Sequence, residues 1–265
     1  MACGDVPLPA KVGKAGSCPA ASFRVGQCAS KPSCPAFIHL FPHFIISSLQ
    51  DSYRHQGQRR ALARELRQRG IHDEQVLLAL ATVPRHLFFA PAFEAHAYQD
   101  KAFPIGEGQT ISQPYTVAYQ TQLLNLKPTD RVLEVGTGSG YQCAVLLQLT
   151  PHVDSIEFND VLFARTRQLL ATLGAGGAGL YCGDGSVGLP GRAPFDAILV
   201  TAGSPGLPPA LLRQLRVGGR LVIPVGDSQR QRMVRVTREG AEAFVREEFE
   251  DFRFVPLLGA GGWHS

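Results

Sequence analysis

The sequence predicts an α/β fold: a mostly parallel sheet with helices on both faces and an antiparallel hairpin at one edge. Three observations lead there. From Arg131 to Gly226, short apolar runs alternate with stretches of helical periodicity, the pattern of a parallel sheet covered on both sides. The first of these runs ends in a glycine-rich turn, "GTGSG" (136–140), that leads straight into a helix. After Gly226 the alternation stops. "RMVRVTREGAEAFVREEFEDFRFV" (232–255) reads as two antiparallel strands joined near Glu239-Gly240, then an extended end.

Taken in order, the ordered part begins near Asp51. Leu62 and Leu66 mark the apolar side of a first helix, which Gly70 ends. Asp73 caps a second helix, with Val76, Leu77, Leu80 and Val83 at helical spacing, and Pro84 stops it. "PIGEGQTISQP" (104–114) is too polar for a core strand and too broken for a helix, so it reads as a loop. Pro114 suits the first turn of a third helix with Val117, Gln120, Leu123 and Leu124 inward. The loop therefore runs into a helix N-terminus, where outward N–H groups suit a polar or anionic ligand.

The alternating half follows. "RVLEV" is a strand, "YQCAVLLQLT" a helix, "VDSIEF" a strand, and "NDVLFARTRQLLATLG" a helix capped by Asn159 or Asp160. "LYC" and "FDAILVT" are further strands. "LPPALLRQL" is a short helix and "GGRLVIPVG" the fifth strand.

Composition sets the outer bounds. The 265 residues are 45% hydrophobic, enough for one sizeable core, and the net charge is +4, too small to argue for nucleic acid. No apolar run reaches the roughly 18 residues of a membrane span. Residues 1–50, rich in Pro, Gly, Ala and Ser, are expected to form a disordered N-terminal extension. Residues 51–265 are expected to form one domain, with N-terminal helices and the polar loop (51–128), a core (129–226) and C-terminal strands (227–265). Four of the six cysteines fall in the extension without a C-x-x-C pair, so no metal site is expected, and Cys143 and Cys182 read as free thiols. The arginines at 54, 59, 60, 64, 67 and 69 read as a solvated helix face, with phosphate binding as the alternative.

In an open parallel sheet, ligands bind beyond the carboxyl ends of the strands. Three turns fall at that edge. Gly136, Gly138 and Gly140 let backbone approach a ligand, although such a turn also suits nicotinamide and flavin enzymes. Glu157, about twenty residues on, can accept both hydroxyls of a ribose. Asp184 in "GDG" can accept from an adenine amine, with Gly185 leaving room for the base. No lysine-bearing phosphate loop is present. The set fits S-adenosylmethionine best, with Glu134 reaching its amino group through water.

At "VPRHLF", "AYQDKAFPIGEGQTISQPYTVA", "VLEVGTGSGYQCAVL", "GDGSVGLPGRAPFDAILVTAG", "ALLRQLRVGGRLVIPVG" and "RFVPLLG" the chain resembles the protein-L-isoaspartate O-methyltransferases, across roughly residues 51–263. The resemblance implies a Rossmann-like S-adenosylmethionine-dependent methyltransferase fold. It implies transfer of a methyl group to the α-carboxylate of isoaspartyl residues in damaged proteins, followed by a succinimide and partial return to aspartate. It places Thr110, Ile111 and Ser112 near the methionine end of the cofactor, which passes over Gly136, Thr137, Gly138 and Gly140, and makes Ser112 the active-site hydroxyl. Ser112 is also expected to serve as an N-cap for the helix that follows. The partners implied are isoaspartyl proteins and peptides, with neither nucleic acid nor membrane, in the cytoplasm. Two rivals stay open: a methyltransferase of the same fold acting on RNA or a small acid, and a cofactor-binding module without activity.

Overall fold

In the computed structural model, Ser52 opens helix α1 (Tyr53–Gln68) by accepting the His55 N–H, and the helix buries Leu62 and Leu66. The structure describes residues 51–263, so the expected extension, residues 1–50, lies outside the described residues. Asp73 caps helix α2 (Glu74–Thr82) by accepting from the N–H groups of Gln75 and Val76. Of the six arginines read as a solvated face, Arg59 is instead buried against Asp51, while Arg67 pairs with Glu74 and Arg69 with Asp100.

The run 104–114 is not simply a loop. Strands β1 (Phe103–Gly106) and β2 (Gln109–Ile111) pair antiparallel, with Phe103 opposite Ile111. Strands of four and three residues are too short to show a period of two in sequence. Helix α3 (Pro114–Leu124) follows with Pro114 in its first turn. The expected cap is corrected: Gln113 holds the N-cap position, and the Tyr115 N–H is satisfied from a distance by the Asp100 carboxylate, at 2.7 Å.

The alternating half appears as β3 (Val132–Val135), α4 (Tyr141–Leu146), β4 (Val153–Glu157), α5 (Asp160–Thr172), β5 (Gly179–Cys182), β6 (Phe195–Val200), α6 (Pro209–Gln214) and β7 (Leu215–Gly226). Asn159, not Asp160, caps α5, accepting the Leu162 N–H at 2.9 Å. Helix α4 is shorter than its apolar run, because Gln148 and Leu149 donate to Val145 and Leu146 in a tightened last turn. Strand β7 begins at Leu215 rather than Gly218. Pairing with β6 steps from Phe195–Leu215 to Ala197–Arg220, a bulge that Gly218 makes at φ +83°. The chain ends with β8 (Gln231–Arg238) and β9 (Phe244–Phe252).

The main sheet has the order β5-β4-β3-β6-β7-β8-β9. Its first five strands are parallel, and β8 and β9 continue as an antiparallel meander. The winding reverses between β3 and β6, which places a ligand crevice at their carboxyl ends. Alternation along the central strands splits the interior. Leu133, Val135, Ile198 and Val200 join Leu211 of α6 on one face. Val132, Ala197 and Leu199 join Leu66, Leu80, Leu124 and Leu146 from α1 to α4 on the other. Each fully buried leucine among them contributes about 1.5–3 kcal/mol of burial energy.

Candidate active site

The glycine turn after β3 forms the floor. Gly136 has φ +98°, and a Cβ there would lie 2.4 Å from Thr201 Oγ1, whose hydroxyl donates to the Gly136 carbonyl. Gly138, at φ +53°, donates its N–H to Glu157 Oε2 at 2.7 Å. Glu157 Oε1 accepts the Asn159 N–H at 3.0 Å. The carboxylate at the end of β4 thereby braces the turn it faces. Beneath it, Thr137 and Ser155 share a hydrogen bond of 2.6 Å, and the Ser155 hydroxyl donates to Glu134 Oε2 at 2.5 Å. Glu134 is fully buried, and its Oε1 has no hydrogen-bond partner among the described residues. Burial above all, with the neighbouring Glu157 charge adding to it, pushes this carboxyl up to about 8.

The β1–β2 hairpin forms the roof. Ile105 Cδ1 lies 3.6 Å from where a Gly138 Cβ would be, and Arg165 of α5 donates to the Ile105 carbonyl at 2.5 Å. The base of the hairpin is held by Arg85, which is completely buried. Its guanidinium donates to the carbonyls of Ser112 at 2.7 Å and Ala97 at 2.9 Å, and lies 4.5 Å over the Tyr141 ring. Burial pulls its pKa below the ordinary arginine value. Sequence reasoning noticed "VPRHLF" only as a motif. The available signal was an arginine directly after the helix stop at Pro84, followed by His86 and then by the apolar run 87–93.

The far wall comes from the end of the chain. Val255, Pro256, Leu257 and Leu258 line the cleft with Gly185, where a Cβ would fall 2.6 Å from Val135 Cγ1. Asp184 lies outside the lining. Its Oδ1 accepts from the N–H and hydroxyl of Ser186, and its Oδ2 from the Ala260 N–H at 2.8 Å. Burial raises this carboxyl, but those hydrogen bonds outweigh it and hold its pKa below the ordinary value. The residue expected to meet an adenine amine thus also clamps the last segment of the chain against the site.

The cleft gathers Thr110, Ile111, Ser112, Gly136, Thr137, Gly138, Glu157 and Gly185 from four separated stretches. Glu134 and Gly140 lie behind it, Gly140 at φ +85° as the N-cap of α4. Glu107, Phe158 and Thr201 also line it, and none was a sequence candidate. No arginine, lysine or histidine does so among the described residues.

A second cleft opens beside the first and shares Thr110, Ser112, Thr201 and Val255 with it. Its walls carry Arg69, Arg230 and Arg253, with Tyr115, Phe252 and Phe254. Its acids are engaged: Asp251 pairs with Arg230 and Arg232, and Glu250 accepts from the Tyr115 hydroxyl at 3.1 Å. Burial, then the Glu250 charge, raises the Tyr115 phenol to about 12. Exposed Arg253 has no ion pair among the described residues. Elsewhere, ligand atoms of Asp51, His55 and His86 lie within 4.8 Å of one another. Arg59 engages both Asp51 oxygens, at 2.6 and 2.9 Å, and a guanidinium there opposes a metal cation.

Residues 57–261 match the family model described as protein-L-isoaspartate(D-aspartate) O-methyltransferase. The chain belongs to this family. A protein-L-isoaspartate O-methyltransferase of Cytophaga hutchinsonii is 56% identical over 217 residues, 82% of this chain and 98% of that protein. One from Flavobacterium psychrophilum is 53% identical over 210 residues, 79% of this chain and 98% of that protein. A solved protein-L-isoaspartate O-methyltransferase superposes with a TM-score of 0.69 at 28% identity, over 77% of this chain and 67% of that one. A Plasmodium falciparum structure, described as a beta-aspartate methyltransferase in complex with S-adenosyl-L-homocysteine, gives 0.65 at 24% identity, over 76% and 98%, and shows the shared fold. The Rossmann-like methyltransferase sheet is therefore the architecture of this member of the family. No helix among its described residues is long and apolar enough to cross a membrane.

Proposed function

We propose that the protein moves a methyl group from S-adenosylmethionine to the α-carboxylate of L-isoaspartyl residues in damaged proteins. The product ester closes to a succinimide as the neighbouring backbone amide nitrogen displaces methanol, and part of that succinimide hydrolyses to aspartate. One observation carries the reading beyond family membership: two clefts of opposite character meet at Ser112. The first is lined by carboxylates and no cation, which suits a cofactor bearing a sulfonium and an ammonium. The second is rimmed by arginines, which suits a carboxylate acceptor.

The residues fit the cofactor. A Cβ at Gly136 or Gly185 would strike Thr201 or Val135, so only glycine lets the walls of the cleft pack this closely, and Glu157 presents its carboxylate at the end of β4. Bound S-adenosylmethionine supplies an electrophilic methyl carbon. An isoaspartyl α-carboxyl, with a reference pKa near 3.5, is ionised at neutral pH and needs no general base. The protein's work is then to position. Thr110 and Ser112 stand where both clefts meet, and Arg85 and Arg165 fix the hairpin that carries them. In-line positioning of this kind removes roughly 7–11 kcal/mol of a bimolecular barrier in model systems.

The test uses labelled S-adenosylmethionine with two matched peptides, one isoaspartyl and one aspartyl. Base-labile methyl appears only in the isoaspartyl peptide. Ser112→Ala loses one hydrogen bond to a charged group, roughly a ten- to hundredfold fall in kcat/KM. Transfer to both peptides alike, or to neither while the cofactor binds, sinks the assignment.

A further inference from the structure

The far wall of the first cleft comes from the last segment of the chain, the part of most domains that frays unless it is tied down. Val255, Pro256, Leu257 and Leu258 line the cleft. The chain then turns back on them. The Gly262 N–H donates to the Gly259 carbonyl at 3.1 Å, and the Trp263 N–H to the Leu257 carbonyl at 2.7 Å. Gly259 makes this turn at φ +128°, and a Cβ there would fall on the Asp184 carboxylate. Two ties hold the turn to the segment after β5: the Ala260 N–H donates to Asp184 Oδ2 and the Gly261 N–H to Ser186 Oγ, each at 2.8 Å. A third tie reaches the segment after β6. The Gly203 carbonyl accepts the Leu257 N–H at 2.7 Å and the indole N–H of Trp263 at 3.1 Å. Each tie lies next to a residue of the cleft lining, Gly185 for the first two and Ala202 for the third.

Of these ties, only that of Trp263 is made by a side chain of the turn itself. Its half-buried ring brings apolar area as well as a donor, whereas the ties at Ala260 and Gly261 are backbone alone. The family match ends at residue 261, just short of it. We propose that Trp263 is a positioning residue for the cofactor: through Gly203 and Leu257 it keeps the Leu257–Leu258 wall docked at the width that a bound adenosyl group fills. Where the wall is undocked in part of the molecules, the apparent affinity falls by the docked fraction. This rests on the reading of the cleft as the S-adenosylmethionine site, with the base beside Gly185.

The test is calorimetric binding of S-adenosylhomocysteine to wild type, Trp263→Phe and Trp263→Ala. Trp263→Phe keeps a ring and the backbone N–H and gives up the indole donor, so binding weakens about two- to tenfold, the worth of one hydrogen bond. Trp263→Ala gives up the ring as well and weakens it further. Trp263 is the only tryptophan of the chain, so the emission of the wild type reports on this wall alone. Addition of S-adenosylhomocysteine changes that emission in step with the calorimetric isotherm. The proposal is overturned if both variants bind as tightly as wild type, or if the emission stays flat while the ligand binds. The emission decides even where a variant fails to fold. Wild-type protein that binds no S-adenosylhomocysteine overturns the cofactor reading, and the proposal with it. Binding without methyl transfer to either peptide sinks the assigned reaction and leaves the binding comparison to decide this proposal.

Discussion

Glu134→Gln should make the free protein more stable, and increasingly so as the pH rises. In the native state the Glu134 carboxyl is fully buried, with one oxygen taking the Ser155 hydroxyl and the other unpartnered. Its pKa rises from the ordinary 4.5 to about 8. Below pH 4.5 both folded and unfolded chains carry the proton. Between 4.5 and about 8 the unfolded chain has lost it while the native protein keeps it. The native state then binds more protons, so stability falls as pH rises through this window and levels off above it. At about 1.4 kcal/mol per pH unit the whole window spans on the order of 5 kcal/mol, an upper figure because local relaxation softens the burial cost. Glutamine has the same shape, accepts from Ser155 equally well and does not titrate. Urea unfolding of wild type and variant at half-unit steps from pH 4.5 to 8.5 measures the gap. The expected result is near-coincidence at the acid end and an advantage of several kcal/mol for the variant at pH 8. Parallel stability curves across the range would falsify the argument, because Glu134 would then ionise in the native state as it does in the unfolded one.

Other changes test other parts of the site. Arg85→Met strands the carbonyls of Ser112 and Ala97, for a loss of about 2–5 kcal/mol in urea unfolding and a loosened hairpin that shows as higher backbone exchange at Gln109–Ser112. Gly185→Ala drives a methyl to 2.6 Å from Val135 Cγ1, so stability falls by about 1–3 kcal/mol and calorimetry records weaker S-adenosylmethionine binding. Arg253→Glu reverses the unpaired charge beside Ser112, so KM for an isoaspartyl peptide rises several-fold at low salt and the effect fades at high salt, with kcat nearly unchanged.

How legible these features were depended on how local their causes are. The parallel half could be read because short segments, most of them largely apolar, alternate with stretches of helical periodicity, and Gly136, Gly138 and Gly140 recur at a spacing with a mechanical meaning. The β1–β2 hairpin was hidden because each of its strands is only a few residues long, and its order comes from Arg85 and Arg165, both distant in sequence. The cap of α3 was misassigned to Ser112 because the true acceptor, Asp100, reaches it from outside the helix. The clamp of Asp184 on Ala260 joins residues 76 apart, and no local pattern announces it. Glu157 stood out as an acid about twenty residues after the glycine turn, at the end of the next strand, and the structure joins it to Gly138 of that turn.

The outer edges of the main sheet bear on the company this enzyme keeps. Damaged and partly unfolded chains carry free strands, and an open sheet edge is a template on which such strands add. Strand β5, at one edge, is only four residues long and begins at Gly179. Strand β9, at the other, carries Arg246, Glu247, Glu248, Glu250 and Asp251 within nine residues. A register shift against β8 further interrupts its regular ladder. A client polypeptide approaching either side meets a run too brief to pair with, or a charged and kinked border. Both edges are therefore poor templates for strand addition by a neighbouring chain.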